Sequence, residues 1–167
     1  MSFQWQHFLD LAEDLLKRQA TLRAGAITGD VASDDATTTN LTEQTTARAA
    51  DESALRTCIS RAYYAAFHIV REYVEMMYPN QGAPTKVDSH ISVWKQLDSR
   101  NRRQEGAIQN NGNAIKRARQ AADYDLGFPK WDQKSGIAAR NWIELAEFSI
   151  LTARRIQKLV VDITPQR

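Results

Sequence analysis

The feature that most constrains this chain is a series of apolar residues that recur every three or four positions between about Asp51 and Tyr78. This spacing places the apolar side chains on one face of an α-helix. Asp51 or Ser53 is a suitable N-cap for the helix, and Pro79 breaks the pattern after it. The predicted apolar face comprises Leu55, Cys58, Ile59, Ala62, Tyr63, Ala66, Ile69, Val70, Tyr73 and Met77.

The same periodicity predicts four further helices, and no segment alternates with the period of two that is typical of a half-buried strand. The first helix covers 4–23, and the third begins at 88 or 89 and ends in the polar stretch 99–105. The fourth covers about 114–124 after a turn at 109–113, and the fifth covers about 135–161. We therefore predict an all-α fold, an up-and-down bundle of four to five helices. A length of 167 residues suits a single domain over 1–167.

A segment at about 25–46 differs from the rest of the chain in composition. It is rich in Thr and Asp and contains few large apolar residues. A segment of this kind has little apolar surface to bury against a core. We predict an exposed insertion that is disordered or only weakly helical, and that is tolerated by the fold rather than required for function.

Several classes of protein are disfavoured by composition. Cys58 is the only cysteine, so neither an intramolecular disulfide nor a cysteine-based metal site is available within one chain. The three histidines are far apart, and we predict no metal and no cofactor. The first ten residues lack the pattern of a signal peptide, and no apolar run is long enough to span a membrane. We expect a cytoplasmic protein that does not contact a membrane.

Charge is unevenly distributed along the chain although the formal net charge is only +2. Residues 28–54 carry six acids and one base, for a net charge of −5. Residues 86–120 carry eight Lys or Arg and three acids, for a net charge of +5. The basic block either contacts nucleic acid or a nucleotide, or forms a solvated helix surface.

The basic block ends in a cluster that could bind an anionic ligand, namely Lys116, Arg117, Arg119, Asp123 and Tyr124. Arg119 and Asp123 are one helical turn apart and can form an ion pair. In a functional interpretation the guanidinium groups bind phosphate, and the carboxylate orients one of them. In a structural interpretation the ion pair only orders the helix, with Tyr124 packing at its end.

A second cluster lies in the predicted long helix, where Arg61 and His68 fall on one face. An Arg and a His on one face can serve phosphate binding and proton transfer, which makes His68 a candidate catalytic residue. A His in this position is more often a core or boundary residue than a catalytic one. His90 opens the third predicted helix, where it either contacts a ligand or orders the helix N-terminus.

Residues 60–68 read SRAYYAAFH, and residues 119–125 read RQAADYD. The first segment resembles the signature helix of small prokaryotic proteins of the HEPN superfamily, and the second resembles another motif of the same family. The helix start at His90 and the long final helix with AEF at 146–148 follow the same order. The resemblance covers roughly residues 50–160 and the first helix, and relative to it the Thr-rich segment is an insertion.

The resemblance implies a helical bundle that often forms a homodimer. Members of the superfamily include metal-independent RNases of toxin–antitoxin and phage-defence systems, nucleotide-binding proteins, and partners of small nucleotidyltransferases. In the RNases an Arg, followed a few residues later by a His, stabilises phosphate charge and transfers a proton. Here Arg119 matches that Arg, which makes it the second candidate catalytic residue. The positions at which the His would fall, however, hold Tyr124, Asp125 and Leu126.

Three functions remain open from the sequence. The favoured one is a HEPN-like module that binds RNA, a nucleotide or a partner protein, in a toxin–antitoxin or phage-defence setting. Its predicted ligand-binding residues are Arg61, His68, His90, Lys116, Arg117, Arg119, Asp123 and Tyr124, with the basic stretch 100–103 contributing. The alternatives are an atypical metal-independent RNase toxin and a structural subunit paired with a nucleotidyltransferase. The missing His favours a binding module over an enzyme.

Overall fold

Five α-helices make up the regular structure that the computed structural model describes, over residues 5–27, 37–79, 89–97, 102–131 and 135–165. Within these ranges, the side chains of 22–27, 37–50 and 89–92 are not described. The helices are α1 (Gln6–Ile27), α2 (Thr37–Met77), α3 (Ser89–Gln96), α4 (Arg103–Tyr124) and α5 (Trp142–Ile163). No strand occurs in these ranges, which confirms the predicted all-α class.

Helix α2 is the centre of the bundle and contacts each of the other four helices. Helix α5 packs along α2, while α1 and α4 each contact both α2 and α5. Ala62, Ala65 and Ala66 are fully buried, and such small side chains allow neighbouring helices to approach closely. The predicted apolar face of α2 is confirmed, with Ile69 and Met77 at its partly buried edge.

The predicted start of the long helix near Asp51 is wrong, because α2 already begins at Thr37. The last ten residues of the predicted insertion at 25–46 therefore belong to a helix, and its first residues belong to the end of α1, which runs past Gly25 to Ile27. The central part, 28–36, lies outside the described residues, as do residues 80–88 and 98–101.

The predicted turn at 109–113 is also wrong, since α4 continues through it from Arg103 to Tyr124. Three contacts offset the weak helix propensity of this segment. Asn111 Nδ2 donates to Ala107 O at 2.8 Å, and Gln109 Nε2 donates to Trp94 O at 2.8 Å. Gly112 lies so close to the indole ring of Trp94 that a Cβ atom there would overlap the ring. Tertiary packing against α3 thus overrides the local turn signal.

The fifth helix begins at Trp142 rather than near Ser135. Asn141 Oδ1 accepts from the backbone N–H of Glu144 at 3.0 Å, and Glu144 Oε2 accepts from that of Arg140 at 2.8 Å. This reciprocal arrangement is a capping box displaced by one residue, and it defines the helix start. The preceding residues form a turn in which Gly136 adopts a φ of 70°, a conformation that favours glycine.

A buried carboxylate joins the start of α4 to the end of α2. Glu105 is fully buried, and its Oε1 accepts from Tyr73 Oη at 2.7 Å and from Arg102 Nη1 at 3.0 Å. Its Oε2 accepts from Tyr78 Oη at 2.8 Å. The pKa of Tyr73 is raised, chiefly by burial and in second place by its hydrogen bond to the Glu105 carboxylate.

None of the described helices is long and apolar enough to cross a membrane.

Candidate functional site

A surface cleft of about 400 Å³ lies between α2 and the C-terminal end of α4. Hydroxyl groups and guanidinium groups make up most of its polar lining. The lining residues are Ser53, Arg56, Thr57, Ser60, Arg61, Tyr64 and Asp123. Helix α2 supplies all of them except Asp123, because residues spaced by three and four lie on the same helical face. The cleft therefore joins the two motifs that the sequence singled out.

Arg119 and Asp123 form the predicted ion pair, with 2.6 Å between Nε and Oδ2. The pair also connects α4 to α2, which the sequence did not predict. Asp123 Oδ1 accepts from Ser60 Oγ at 2.7 Å, and Arg119 Nη2 donates to Tyr64 Oη at 3.2 Å. The side chains of Arg119 and Asp123 are only 22% and 26% exposed, so these contacts hold Tyr64 and Asp123 at the cleft wall.

Arg56 is one of the two described Arg side chains that line the cleft, and it forms its hydrogen bonds within the fold. Its Nε and Nη2 donate to Glu52 Oε1 at 2.9 and 2.7 Å, and its Nη1 donates to Ala122 O at 2.8 Å. Its guanidinium carbon lies 4.1 Å from the centre of the Trp142 ring. A cation at the last carbonyls of a helix is favoured by hydrogen bonding and by the helix dipole. Arg56 thus links α2 to the end of α4 and to the start of α5.

Arg61 is the exposed guanidinium of the cleft. Among the described residues it forms no ion pair, and its guanidinium carbon lies 5.1 Å from the centre of the Phe8 ring on α1. This ring contact positions the side chain without neutralising it. Arg61 is therefore the residue of the cleft with charge available for an anionic ligand.

His68 lies one turn beyond Tyr64 on α2 but is not among the described residues that line the cleft. Its imidazole stacks flat on the Trp5 indole, with 3.5 Å between ring centres and 2° between ring planes. Trp5 is held in turn by a bond from its Nε1 to Glu72 Oε1 at 2.8 Å. This stacking helps to pack the start of α1 against α2. His68 therefore lies at the boundary of the core, which agrees with its structural interpretation from the sequence.

The predicted basic cluster on α4 is divided between two sides of the helix. Arg119 faces α2, whereas Arg117 faces α5 and donates from Nη2 to Ser135 O. The physical reason is helical spacing, since residues two apart point in nearly opposite directions. Lys116 is half-buried and is not among the described residues that line the cleft. His90 lies in α3, and its side chain is outside the described residues.

Tyr124 ends α4 beside the cleft, with its ring centre 6.0 Å from the Arg119 guanidinium carbon. The side chain is 73% exposed, so the predicted packing of Tyr124 at the helix end is weak. Leu126, in the loop that follows, is fully exposed. The structure thus brings Arg61, Arg119, Asp123 and Tyr124 together and leaves Arg117 elsewhere.

Sequence reasoning missed Glu52 and Arg56 and gave no role to Ser60 and Tyr64. A signal for them was present, because positions 52, 56, 60 and 64 are spaced by four and form one stripe along α2. The stripe faces the end of α4, which only the packing of the two helices reveals. No group of three or more His, Cys, Asp or Glu side chains able to hold a metal occurs in the described part of the chain.

Comparison with known proteins leaves the family of this chain undetermined. No protein-family model matches the sequence, and no curated protein or solved structure matches it either. The resemblance to HEPN proteins therefore rests on the sequence motifs alone, and it stays a prediction.

Proposed function

We propose that this chain is a HEPN-like module that binds RNA through the cleft between α2 and α4. The observation that carries the proposal is Arg61, an exposed guanidinium with no carboxylate partner among the described residues, which lines the cleft beside four hydroxyl side chains. A guanidinium binds phosphate through charge-assisted hydrogen bonds. The Asp123 carboxylate, braced by Arg119 and Ser60, supplies an acceptor for the ribose 2′-hydroxyl.

Binding without cleavage is the favoured activity. The atypical RNase alternative requires a histidine beside Arg119, but the imidazole of His68 is stacked on Trp5. The positions after Arg119 at which the HEPN RNases carry a His hold Tyr124, Asp125 and Leu126 instead. The toxin–antitoxin setting and the nucleotidyltransferase partner stay predictions, and so does the homodimer.

The first test is fluorescence anisotropy of a labelled single-stranded RNA across a salt series. We expect Arg61→Ala to weaken binding about tenfold at low salt and to reduce the slope of log affinity against log salt by about 0.7, the value for one phosphate contact on a single strand. Lys158→Ala is the matched control, since it removes one positive charge from the exposed surface of α5 outside the cleft.

Two outcomes would contradict the proposal. Equal weakening by Arg61→Ala and Lys158→Ala would show that binding depends on net charge and not on the cleft. The absence of RNA binding by the wild-type chain at low salt would exclude the function altogether.

Single-stranded DNA of the same sequence should bind more weakly than the RNA, because it lacks the 2′-hydroxyl donor.

Cleavage of the same RNA in the presence of a chelator distinguishes the RNase alternative. We expect no cleavage by the wild-type chain. Cleavage that is lost in Arg119→Ala and His68→Ala, with both variants folded by circular dichroism, would establish a metal-independent RNase and overturn the binding-only proposal. Arg119→Lys, which keeps the charge, is the second variant in case Arg119→Ala fails to fold.

A further inference from the structure

A second cleft, of about 650 Å³, lies between α4 and α5 on the side of the bundle that Arg117 faces. Small-molecule sites usually have volumes of roughly 300 to 1,000 Å³ and combine apolar walls with a few polar groups. The second cleft combines two guanidiniums, side-chain amides and an apolar wall. Its lining includes Asn110, Asn113, Arg117, Phe148, Leu151 and Arg155.

Positive charge in this cleft is not neutralised by the described residues. None of the described lining residues is acidic, and neither Arg117 nor Arg155 forms an ion pair in the described part of the chain. Ser135 O accepts from one nitrogen of Arg117, which orients the guanidinium and leaves its charge in place. By contrast, Arg56, Arg119 and Arg154 are each paired with a carboxylate.

An apolar wall lies beside these two cations. Phe148 is half-buried, and Leu151 is 69% exposed although it is a large apolar residue. On α4, Asn110 and Asn113 are exposed and supply amide groups that can both donate and accept. A planar base can pack on such a wall while its edge bonds to the amides, as bases stack on aromatic side chains in other complexes.

We propose that the cleft between α4 and α5 binds a nucleoside phosphate. Arg117 and Arg155 bind the phosphate, Phe148 and Leu151 pack against the base, and the amides of Asn110 and Asn113 contact the edge of the base. The site is separate from the cleft between α2 and α4, since the two clefts share none of the lining residues that the structure describes.

The test is isothermal titration calorimetry of the full chain with AMP, inorganic phosphate and adenosine. We expect AMP to bind more tightly than either fragment. Arg155→Ala should weaken AMP binding about tenfold, which is typical of one lost charge-assisted hydrogen bond. Leu151→Ser should weaken the binding of AMP and adenosine but not that of phosphate. Both side chains are exposed, so both variants should fold.

Arg71→Ala is the matched control, because it removes an Arg from the surface of α2 outside both clefts and should leave AMP binding unchanged. The inference would be overturned by no AMP binding, by equal affinities for phosphate and AMP, or by AMP binding that responds to Arg61→Ala and not to Arg155→Ala. RNA binding is read separately through Arg61→Ala, so failure of one proposal leaves the other standing.

Discussion

Individual side chains in this protein divide into those whose bonds are satisfied within the fold and those that are available to a ligand. Arg56 is bonded to Glu52 and Ala122 and packs on Trp142, so its role is to hold three helices together. Arg61 and Arg155 carry charge that no described carboxylate neutralises. This difference, rather than residue type, separates binding candidates from structural residues, because an Arg that is already paired gains little from a ligand.

At the residue scale, we predict that Cys58 is unreactive in the folded protein. The thiol is fully buried, and burial raises its pKa to about 11. Because the thiolate is the reactive form, its labelling by a thiol–disulfide reagent at pH 8 should be at least about 100-fold slower than in urea. Labelling at the unfolded rate under native conditions would show that the buried face of α2 opens readily.

The raised pKa of Cys58 also predicts a loss of stability in alkali. The unfolded thiol ionises at lower pH than the folded one, so its contribution to the free energy of unfolding is complete below about pH 8.5 and decreases as pH rises toward 11. Cys58→Ala should remove this part of the alkaline pH dependence.

Helices in this bundle owe their limits to caps and packing more than to intrinsic propensity. The capping residues Asn141 and Glu144 start α5 well after its apolar pattern begins. Helix α4 persists through Asn110, Asn111 and Gly112, which favour a turn in isolation. Contact with Trp94 of α3 makes glycine suitable in the middle of α4.

At the scale of the element, Gly112→Ala should destabilise the protein. The replacement gains up to about 1 kcal/mol of helix propensity. The new methyl group, however, meets the Trp94 ring, and overpacking of this kind typically costs about 1–3 kcal/mol. We expect a net loss in the free energy of unfolding measured in urea. Trp94→Leu, which leaves a space in the core, should cost less in the Gly112→Ala background than in the wild type, because there it also relieves the overlap. A more stable Gly112→Ala variant would contradict the observed close contact.

The whole bundle is closed by α1, which lies against α2 and α5. Trp5 stacks on His68 of α2, and Arg154 of α5 reaches back to two acids of α1. Arg154 Nε donates to Glu13 Oε1 at 2.7 Å, and its Nη2 donates to Asp10 Oδ1 at 2.9 Å. The hydrogen bond from Arg154 holds the pKa of Asp10 below its usual value.

At the scale of the molecule, Arg154→Ala should loosen the docking of α1. A carboxyl group whose pKa is lowered by folding contributes stability above its unfolded pKa of about 3.9, and that contribution is lost as pH falls through the folded value. The difference in unfolding midpoint between wild type and Arg154→Ala should therefore shrink as pH falls from 7 toward 2. Amide hydrogen exchange in α1 should also increase in the variant at pH 7.

Arg155→Ala is the matched control for this prediction. It removes a neighbouring Arg of α5 that makes no ion pair among the described residues, so the pH dependence of stability should stay that of the wild type. A pH-independent difference between wild type and Arg154→Ala would mean that Arg154 acts through packing alone.

The sequence by itself determined the features that depend on local periodicity. Apolar spacing was enough to predict the all-α class, the buried face of α2 and the end of α4 at Tyr124. The Arg119–Asp123 pair followed from their separation by one turn. Such features are predictable because they depend on the geometry of a single helix.

Only the tertiary structure decided which helix faces meet. It placed Ser60 against Asp123, Trp94 against Gly112 and His68 against Trp5, and these pairs are distant in sequence. It also placed Arg117 in the cleft between α4 and α5 and directed Arg119 toward Tyr64 of α2, where the sequence suggested one basic cluster. The physical reason is that contacts between helices depend on how the whole core packs, which no single segment encodes.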